Sequence, residues 1–307
     1  MPASDQAGAL HHLLLLMFAI CGCVYLLVLL GLVWTFWRAR RGGAEKPAIA
    51  GEDQRLFHGM RLTAAIIVTG LTILIVGSFL ADRTLFATRA QDAMLVRVTG
   101  HQWWWRIEYQ APGSKRWVET ANELHLPLGR TTRVLLGSGD VIHSFWVPNV
   151  AGKIDMIPGR RNVLDLTPRR EGWFRGQCTE YCGTQHAHMA FDVKVERPAA
   201  FDAWLSRQAR PASSAPGANA RGAAVFAQAC AACHAVRGSP AAGRAGPDLT
   251  HLGARRSVAA GTLPMTRGGL QAWIAQPQTL KPGTSMPTIP LAPADADAVT
   301  CYLASLR

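Results

Sequence analysis

The sequence predicts a multidomain membrane protein. A two-helix transmembrane hairpin stands at the N-terminus, an all-β domain in the middle and an all-α domain at the C-terminus. Three observations predict it. Two long runs near the N-terminus carry no charge. Residues 91–200 break into short β-rich segments between glycines and prolines. A Pro-, Ala- and Ser-rich stretch then leads into helical sequence that opens with Cys-Ala-Ala-Cys-His. The organisation that follows is a hairpin over 1–90, a β-domain over 91–200, a linker over 201–220 and a helical domain over 221–307.

The chain has 307 residues, room for about two or three domains. Its apolar fraction of 49% is high for a soluble protein, and the excess is concentrated near the N-terminus. The net charge of +12 is spread over the whole length with no basic stripe interleaved with aromatics, which argues against a nucleic-acid partner. Seven cysteines are too few for a disulfide scaffold, and two close pairs in polar sequence point to metal or cofactor chemistry. Cys21 and Cys23 lie in the first apolar run and read as small apolar fillers.

Leu13 to Trp37 is 25 residues without a charge, and Leu62 to Ala81 is another 20. Each is long enough to cross a hydrocarbon core of about 30 Å as a helix. Residues 1–12 hold no Lys or Arg, so the positive segment that opens a cleaved signal peptide is missing. The sequence between the runs carries Arg38, Arg40, Arg41, Lys46, Arg55 and Arg61, which places it in the cytoplasm and both termini outside. The β and helical domains are then extracytoplasmic.

The β-domain is expected from "MLVRVTG", "TRVLLGSG", "DVIHSFWVP", "RNVLDLTP", "GWFRGQC" and "AFDVKVE", each alternating or β-rich and each broken by Gly or Pro. A small antiparallel sandwich or barrel is the natural fold. The loop between its last two strands reads "CTEYCGTQHAHM", Cys178 to Met189. Thiolate, imidazole and thioether are soft ligands and favour copper over hard cations. Two thiolates can bridge two copper ions, each of which needs one His and one weak ligand. Met189 and a backbone carbonyl of the loop, where Glu180 is central, offer the weak ligands. His186 and His188 compete for one imidazole place, and residues two apart in an extended loop face opposite ways. His143 in "GDVIHSFWVP" is the candidate for the other. A Cys178–Cys182 disulfide and a zinc site are the alternatives. The full pattern C-x-E-x-C-x3-H-x2-M with an upstream His favours copper.

Residues 207–221 read as a flexible linker. The motif Cys230-Ala-Ala-Cys233-His234 then matches covalent attachment of a c-type haem, with the thiols on the vinyl groups and His234 as one axial ligand. The second axial ligand is Met286 or Met265. "KPGTSMP" around Met286 and "GPDL" at 246–249 resemble the ligand loops of class I cytochromes c and favour Met286. His251 is expected to be a surface or haem-edge residue. From residue 218 onward there are eight Lys or Arg against three Asp, so the haem domain should dock on an acidic or neutral surface.

Residues 1 to about 200 resemble subunit II of the haem–copper cytochrome c oxidases. The resemblance rests on the two-helix hairpin, "GHQWWWRIEY" (100–109), "DVIHSFWVP" (140–148), "KIDMIPGR" (153–160) and "CTEYCGTQHAHM". It implies a cupredoxin-like Greek-key domain with the binuclear CuA centre on His143, Cys178, the carbonyl of Glu180, Cys182, His186 and Met189. It further implies a magnesium ion shared between the Glu180 side chain and the catalytic subunit. Electron entry falls on the aromatic run, with Trp103 in the place of the family's surface tryptophan and Trp104 beside it. Alternation puts Trp103 and Trp105 on one face and Trp104 on the other. The proton-uptake Glu-x-x-Trp-Thr pattern is replaced by "GEDQRLFHGMRLTAAI", where Glu52 or Asp53 is the nearest carboxylate. A cytochrome c fused behind such a domain marks the caa3 type, and tethering gives it a local concentration of about a millimolar.

The function implied is electron transfer within a terminal oxidase. Electrons from cytochrome c or a quinol–cytochrome c reductase enter the haem, pass to CuA and leave to the catalytic subunit, where oxygen becomes water with proton pumping. The alternative is the same role in a nitric oxide reductase, because substrate choice lies in the partner. A quinol oxidase subunit would lack the copper and haem ligands, and a copper carrier would lack the haem.

Overall fold

The computed structural model describes residues 1–41, 52–86, 93–110, 115–213 and 220–307. The side chains of Glu52 and Asp53, named above for proton uptake, lie outside the described residues. Two compact units are formed, Gly8–Ala87 and Met1–Ala7 with Thr88–Arg307.

The first unit is the hairpin. Helix α1 spans Asp5–Arg41 and α2 spans Glu52–Phe86, so both helices outrun the apolar stretches expected to cross the bilayer. None of the apolar window in α1 and 6% of that in α2 is covered by protein. Side chains such as Leu30 and Ile75 therefore face outward, a surface that only lipid would cover. Gly77 lets α2 approach α1: a Cβ there would meet Leu16 Cδ2 at 3.0 Å. At the end of α1 the guanidinium groups of Arg40 and Arg41 lie over Phe36 and Trp37, 4.4 and 4.5 Å from the ring centres. Aromatic rings and long cationic side chains together suit a membrane–water interface.

The second unit opens with a β-sandwich. Its strands are β1 (Met94–His101), β2 (Trp104–Gln110), β3 (Trp117–Ala121), β4 (Glu123–Pro127), β5 (Thr132–Ser138), β6 (His143–Trp146), β7 (Ile154–Met156), β8 (Asn162–Leu166), β9 (Gly172–Cys178) and β10 (Ala190–Glu196). One sheet runs β3-β2-β1-β5-β8 and the other β4-β10-β9-β6-β7. The expected antiparallel arrangement needs correction at two places, because β1 pairs with β5 and β10 with β4 in parallel. Short crossings from one sheet to the other, such as Asn122 between β3 and β4 and residues 128–131 between β4 and β5, return the chain beside earlier strands in the same direction. Alternating burial along β1 and β5 packs Val96, Val98, Val134 and Leu136 into the core with Trp105 and Phe191. Strand β4 is buried at every residue although its sequence, Glu-Leu-His-Leu-Pro, alternates polar with apolar, and it is not among the six segments named above.

Helix α3, Pro198–Gln208, corrects the expected linker at its start. Phe201, Trp204 and Leu205 belong to the sandwich core, and the Trp204 ring stacks on His125 with centres 3.9 Å apart. The Pro at its first turn and the spacing of its apolar residues make a helix that covers the outer face of β4.

The helical domain consists of α4 (Ala220–Ala229), α5 (Arg267–Ala275), the short α6 (Pro277–Leu280) and α7 (Pro293–Ser305). Thr266 caps α5 by accepting a hydrogen bond from Gly269 N at 3.0 Å. Phe226, Leu270, Ile274, Val299 and Leu303 form its core. Helices α4 and α7 touch at Gly222, where a Cβ would sit 2.2 Å from Ala298 O and 2.7 Å from Tyr302 Cβ. Gly222→Ala should therefore force the helices apart and destabilise this domain by about 1–3 kcal/mol, read as a lower denaturant midpoint.

Candidate metal centre and haem pocket

Strand β9 ends at Cys178, and its neighbour β6 begins at His143. The pairing Phe145↔Cys178 brings the two strand ends together at one end of the sandwich. The loop from Cys178 to Met189 then folds over this end and is closed by Cys178 N donating to Met189 O at 3.0 Å.

The ligand-type atoms converge there. Cys178 Sγ lies 3.8 Å from Cys182 Sγ, 3.9 Å from His143 Nδ1 and 3.3 Å from Glu180 O. Cys182 Sγ lies 3.5 Å from His186 Nδ1 and 3.8 Å from Met189 Sδ. Both cysteines are free thiols. All six residues named for copper in the sequence therefore meet at one place. His143, Cys178, Cys182 and Met189 are buried there. The His186–His188 stretch is a 3-10 turn instead of the expected extended loop. With about three residues per turn, positions two apart still diverge. His186 faces Cys182, while His188 Nδ1 bonds to Gln185 Oε1 at 2.9 Å.

The titratable groups at this end of the sandwich shift one another strongly. The hydrogen bond shared with Cys182 is the main cause holding the Cys178 thiol down to about 3, helped by His143 and against burial. Cys182 is pushed far up by the same shared hydrogen bond and by burial. Two adjacent thiols that favour the thiolate on one sulfur, flanked by imidazoles, suit a soft metal. Burial alone would lower the His143 imidazole, but its hydrogen bonds to Asp140 and Cys178 outweigh this and raise it. Asp140 Oδ1 is 2.8 Å from His143 Nε2, which leaves Nδ1 as the nitrogen beside the sulfur. Asp140 carries no signal in the sequence beyond its place three residues before His143.

Trp103 is joined to this loop directly. Its indole Nε1 donates to Cys182 O at 3.0 Å, and Gln102 Nε2 donates to the same oxygen at 2.8 Å. Gly183 permits the contact: its φ is +113°, and a Cβ would lie 2.9 Å from Trp103 Cζ2. The expected surface position of Trp103 is corrected. It lies in the turn between β1 and β2 and is 7% exposed, because the helical domain covers it. Trp105 is fully buried and Trp104 is half-buried on the other side, stacked on His101 with ring centres 4.8 Å apart.

The helical domain encloses a cavity lined by Cys230, Cys233, His234 and Met286 and by apolar side chains that include Leu249, Leu270 and Ile274. Trp103 and Trp104 of the β-domain close one side of it. His234 Nδ1 donates to Pro247 O at 2.8 Å, which leaves its other ring nitrogen free for a metal. Burial is the main cause that lowers this imidazole, and the neutral form is the ligand form. Gly246 gives the ring its space, since a Cβ there would be 2.5 Å from His234 Cε1. Two thiols, an imidazole and a thioether thus share one apolar pocket, a donor set that suits a large apolar group carrying a metal ion. Met265 packs beside the same core without lining the cavity. His251 is not a surface residue. It is 5% exposed, and its Nε2 bonds to Arg210 O at 3.2 Å.

Glu180, expected to bind magnesium, has its Oε2 3.2 Å from Lys153 Nζ, and Lys153 also reaches Asp155 at 3.1 Å.

The basic domain meets an acidic edge of the sandwich. Arg244 reaches Glu119 at 3.4 Å, Arg256 reaches Asp192 at 3.6 Å, and Arg256 N donates to Glu123 Oε2 at 2.8 Å. Glu123 also holds His125 Nε2 at 2.9 Å, while Glu196 holds Nδ1 at 2.6 Å. These two hydrogen bonds raise the His125 imidazole despite its burial. A residue absent from the sequence reading sits at the centre of this contact. Lys281 is 2% exposed, and burial pulls its amine down to about 7.

Residues 110–196 match the family model described as cytochrome c oxidase subunit II, periplasmic domain, and residues 219–307 match that described as cytochrome c. The cytochrome c oxidase subunit 2 of Alkalihalophilus pseudofirmus is 34% identical over 84% of this chain and 77% of its own length. The protein of the same name from a Bacillus species is 34% identical over 71% of this chain and 64% of its own. The crystal structure of the periplasmic domain of subunit II of the Bradyrhizobium japonicum cytochrome oxidase is 30% identical, with a TM-score of 0.37 over 39% of this chain and 96% of that one. The first domain implies copper and the second implies haem. With two membrane-spanning helices ahead of them, the chain belongs to the cytochrome c oxidase subunit 2 family, in the caa3-type form that carries its own cytochrome c domain.

Proposed function

We propose that this subunit conducts electrons from its own haem c to a binuclear CuA centre and on to the haem–copper subunit of a terminal oxidase that reduces oxygen to water and pumps protons. The observation that carries this reading is the unbonded sulfur pair, 3.8 Å apart, with one imidazole on each side. His143, Cys178, the carbonyl of Glu180, Cys182, His186 and Met189 would hold the copper. Cys230 and Cys233 would hold the haem covalently, and His234 and Met286 would ligate its iron. When bound, the two groups supply one-electron chemistry at separate potentials.

The chain's own residues do the rest. The buried loop excludes water from the sulfurs. Asp140 orients His143, and Gln102 and Trp103 fix the Cys182 carbonyl, so the donor set stays in place whatever the charge at its centre. Trp103 lies between the loop and the haem pocket and is the proposed entry, with Trp104 beside it. The Glu180 carboxylate would leave Lys153 for a magnesium ion at the contact with the catalytic subunit. The basic sequence between the helices argues for a cytoplasmic hairpin turn and for both redox domains on the periplasmic side. Cytochrome c or a quinol–cytochrome c reductase would be the donor. The relatives' names favour the oxidase over a nitric oxide reductase.

Purification of the complex from membranes tests the whole reading. Recovery with a haem–copper subunit and with oxygen uptake is expected, and a partner without that haem site would refute it. The loaded chain should contain two coppers and one haem c. Cys178→Ser should abolish the mixed-valence copper signal, and its survival in electron paramagnetic resonance would refute the ligand set. Met189→Ala should keep copper but shift its spectrum and potential, because only a weak ligand is removed. Trp103→Ala should slow haem-to-copper transfer with both groups bound, and an unchanged rate would mean that electrons enter elsewhere. Flash-reduction kinetics read it.

A further inference from the structure

Lys281 is among the most completely buried large side chains of the protein, and no part of the reading above uses it. Its Nζ donates three hydrogen bonds: to Trp103 O at 2.7 Å, to His188 O at 2.8 Å and to Ala259 O at 3.2 Å. The first two acceptors belong to the β-domain and the third to the helical domain. A buried ammonium without partners costs several kcal/mol. Here three carbonyl dipoles match the three N–H groups of a lysine, a geometry that the planar fork of an arginine would not reproduce. Most of that compensation exists only while the two domains are together.

The position of Lys281 in the chain gives this contact its consequence. It begins the segment Lys281–Met286, which is braced from within. Gln278 Nε2 donates to Thr284 O and to Met286 O at 2.7 Å each, Gln278 Oε1 accepts from Gly283 N at 3.1 Å, and Thr284 N donates to Lys281 O at 3.1 Å. A second tie crosses the interface beside it, where Gln185 Nε2 donates to Pro282 O at 2.9 Å. Gly283 lies flat against the tryptophan, with its Cβ position 3.7 Å from Trp103 Cη2. One end of a stiff segment is therefore bolted to the Trp103 and His188 carbonyls, and the other end carries the proposed axial methionine.

We propose that Lys281 is the positioning residue that seats the cytochrome c domain on the copper-binding domain, so that the distance from the Met286 side of the haem pocket to Trp103 is set by a buried ammonium shared between the two domains. The proposal rests on the reading of the two cofactor sites. It adds that the tethered domain has a specific seat instead of a diffuse electrostatic encounter. The exposed ion pairs around it, such as Arg244 with Glu119, contribute little each. The seat depends on the one charge withdrawn from water.

The test uses the full chain loaded with copper and haem. Lys281→Met keeps the length of the side chain and removes its three donors. The copper and haem spectra and both midpoint potentials should stay as in the parent. Electron equilibration after flash reduction of the haem should slow by about tenfold or more and become dependent on solvent viscosity, because the freed domain must find its seat by tethered diffusion. An unchanged, viscosity-independent rate overturns the proposal. Loss of either spectrum in the variant also overturns it, since Lys281 would then hold a cofactor site and not the interface. Absence of the copper or haem signal in the parent would instead be a failure of the cofactor reading. A second measurement needs no variant. An amine-reactive label on the loaded parent should modify Lys281 at least about tenfold more slowly than the exposed Lys115 and Lys153, and equal rates sink the seat.

Discussion

Two thiols of one short loop are held 3.8 Å apart without a bond between them, and the end of the sandwich is built around that separation. A disulfide is the alternative open to two sulfurs so near in the chain. The loop resists this by giving each sulfur other partners: His143 and the Glu180 carbonyl for Cys178, and His186 and Met189 for Cys182. The strand pairing of β6 with β9 places His143 there, and the 3-10 turn after Cys182 places His186.

The same loop carries its information outward through its backbone. Cys182 O receives both Gln102 and Trp103, and His188 O receives Lys281. Peptide carbonyls a few bonds from the ligands are therefore the contact points for the neighbouring domain. This is an economical way to connect two redox sites, because backbone atoms of a braced loop move less than side chains. It also explains why Trp103 is buried in this chain. The helical domain occupies the surface that an external donor would otherwise approach, so the covalent tether and the seat act together.

Charge organises the larger contact. An acidic edge at Glu119, Glu123 and Asp192 faces Arg244 and Arg256. Glu123 is tied in turn to the buried His125, which stacks on Trp204 of the covering helix. Long-range attraction brings the tethered domain to the correct edge, while short-range buried hydrogen bonds choose its orientation.

The membrane spans, the haem motif and the copper ligand types were legible in the sequence, because each is written in local order: charge-free length, C-x-x-C-H, and soft donors at loop spacing. Six sandwich strands were legible for the same reason, as short β-rich runs; β4, Glu-Leu-His-Leu-Pro, alternates too, but the burial of its polar face under Trp204 was not legible, because that depends on a helix distant in sequence. Helix α3 was read as linker, since its three core residues have meaning only against the face they cover. The burial of Trp103, the role of Asp140 behind His143 and the place of Lys281 were decided by tertiary structure alone. Trp103 and Lys281 meet across 178 positions of chain. No periodicity or spacing encodes such a contact; it exists only because two separately folded surfaces are complementary in shape and charge.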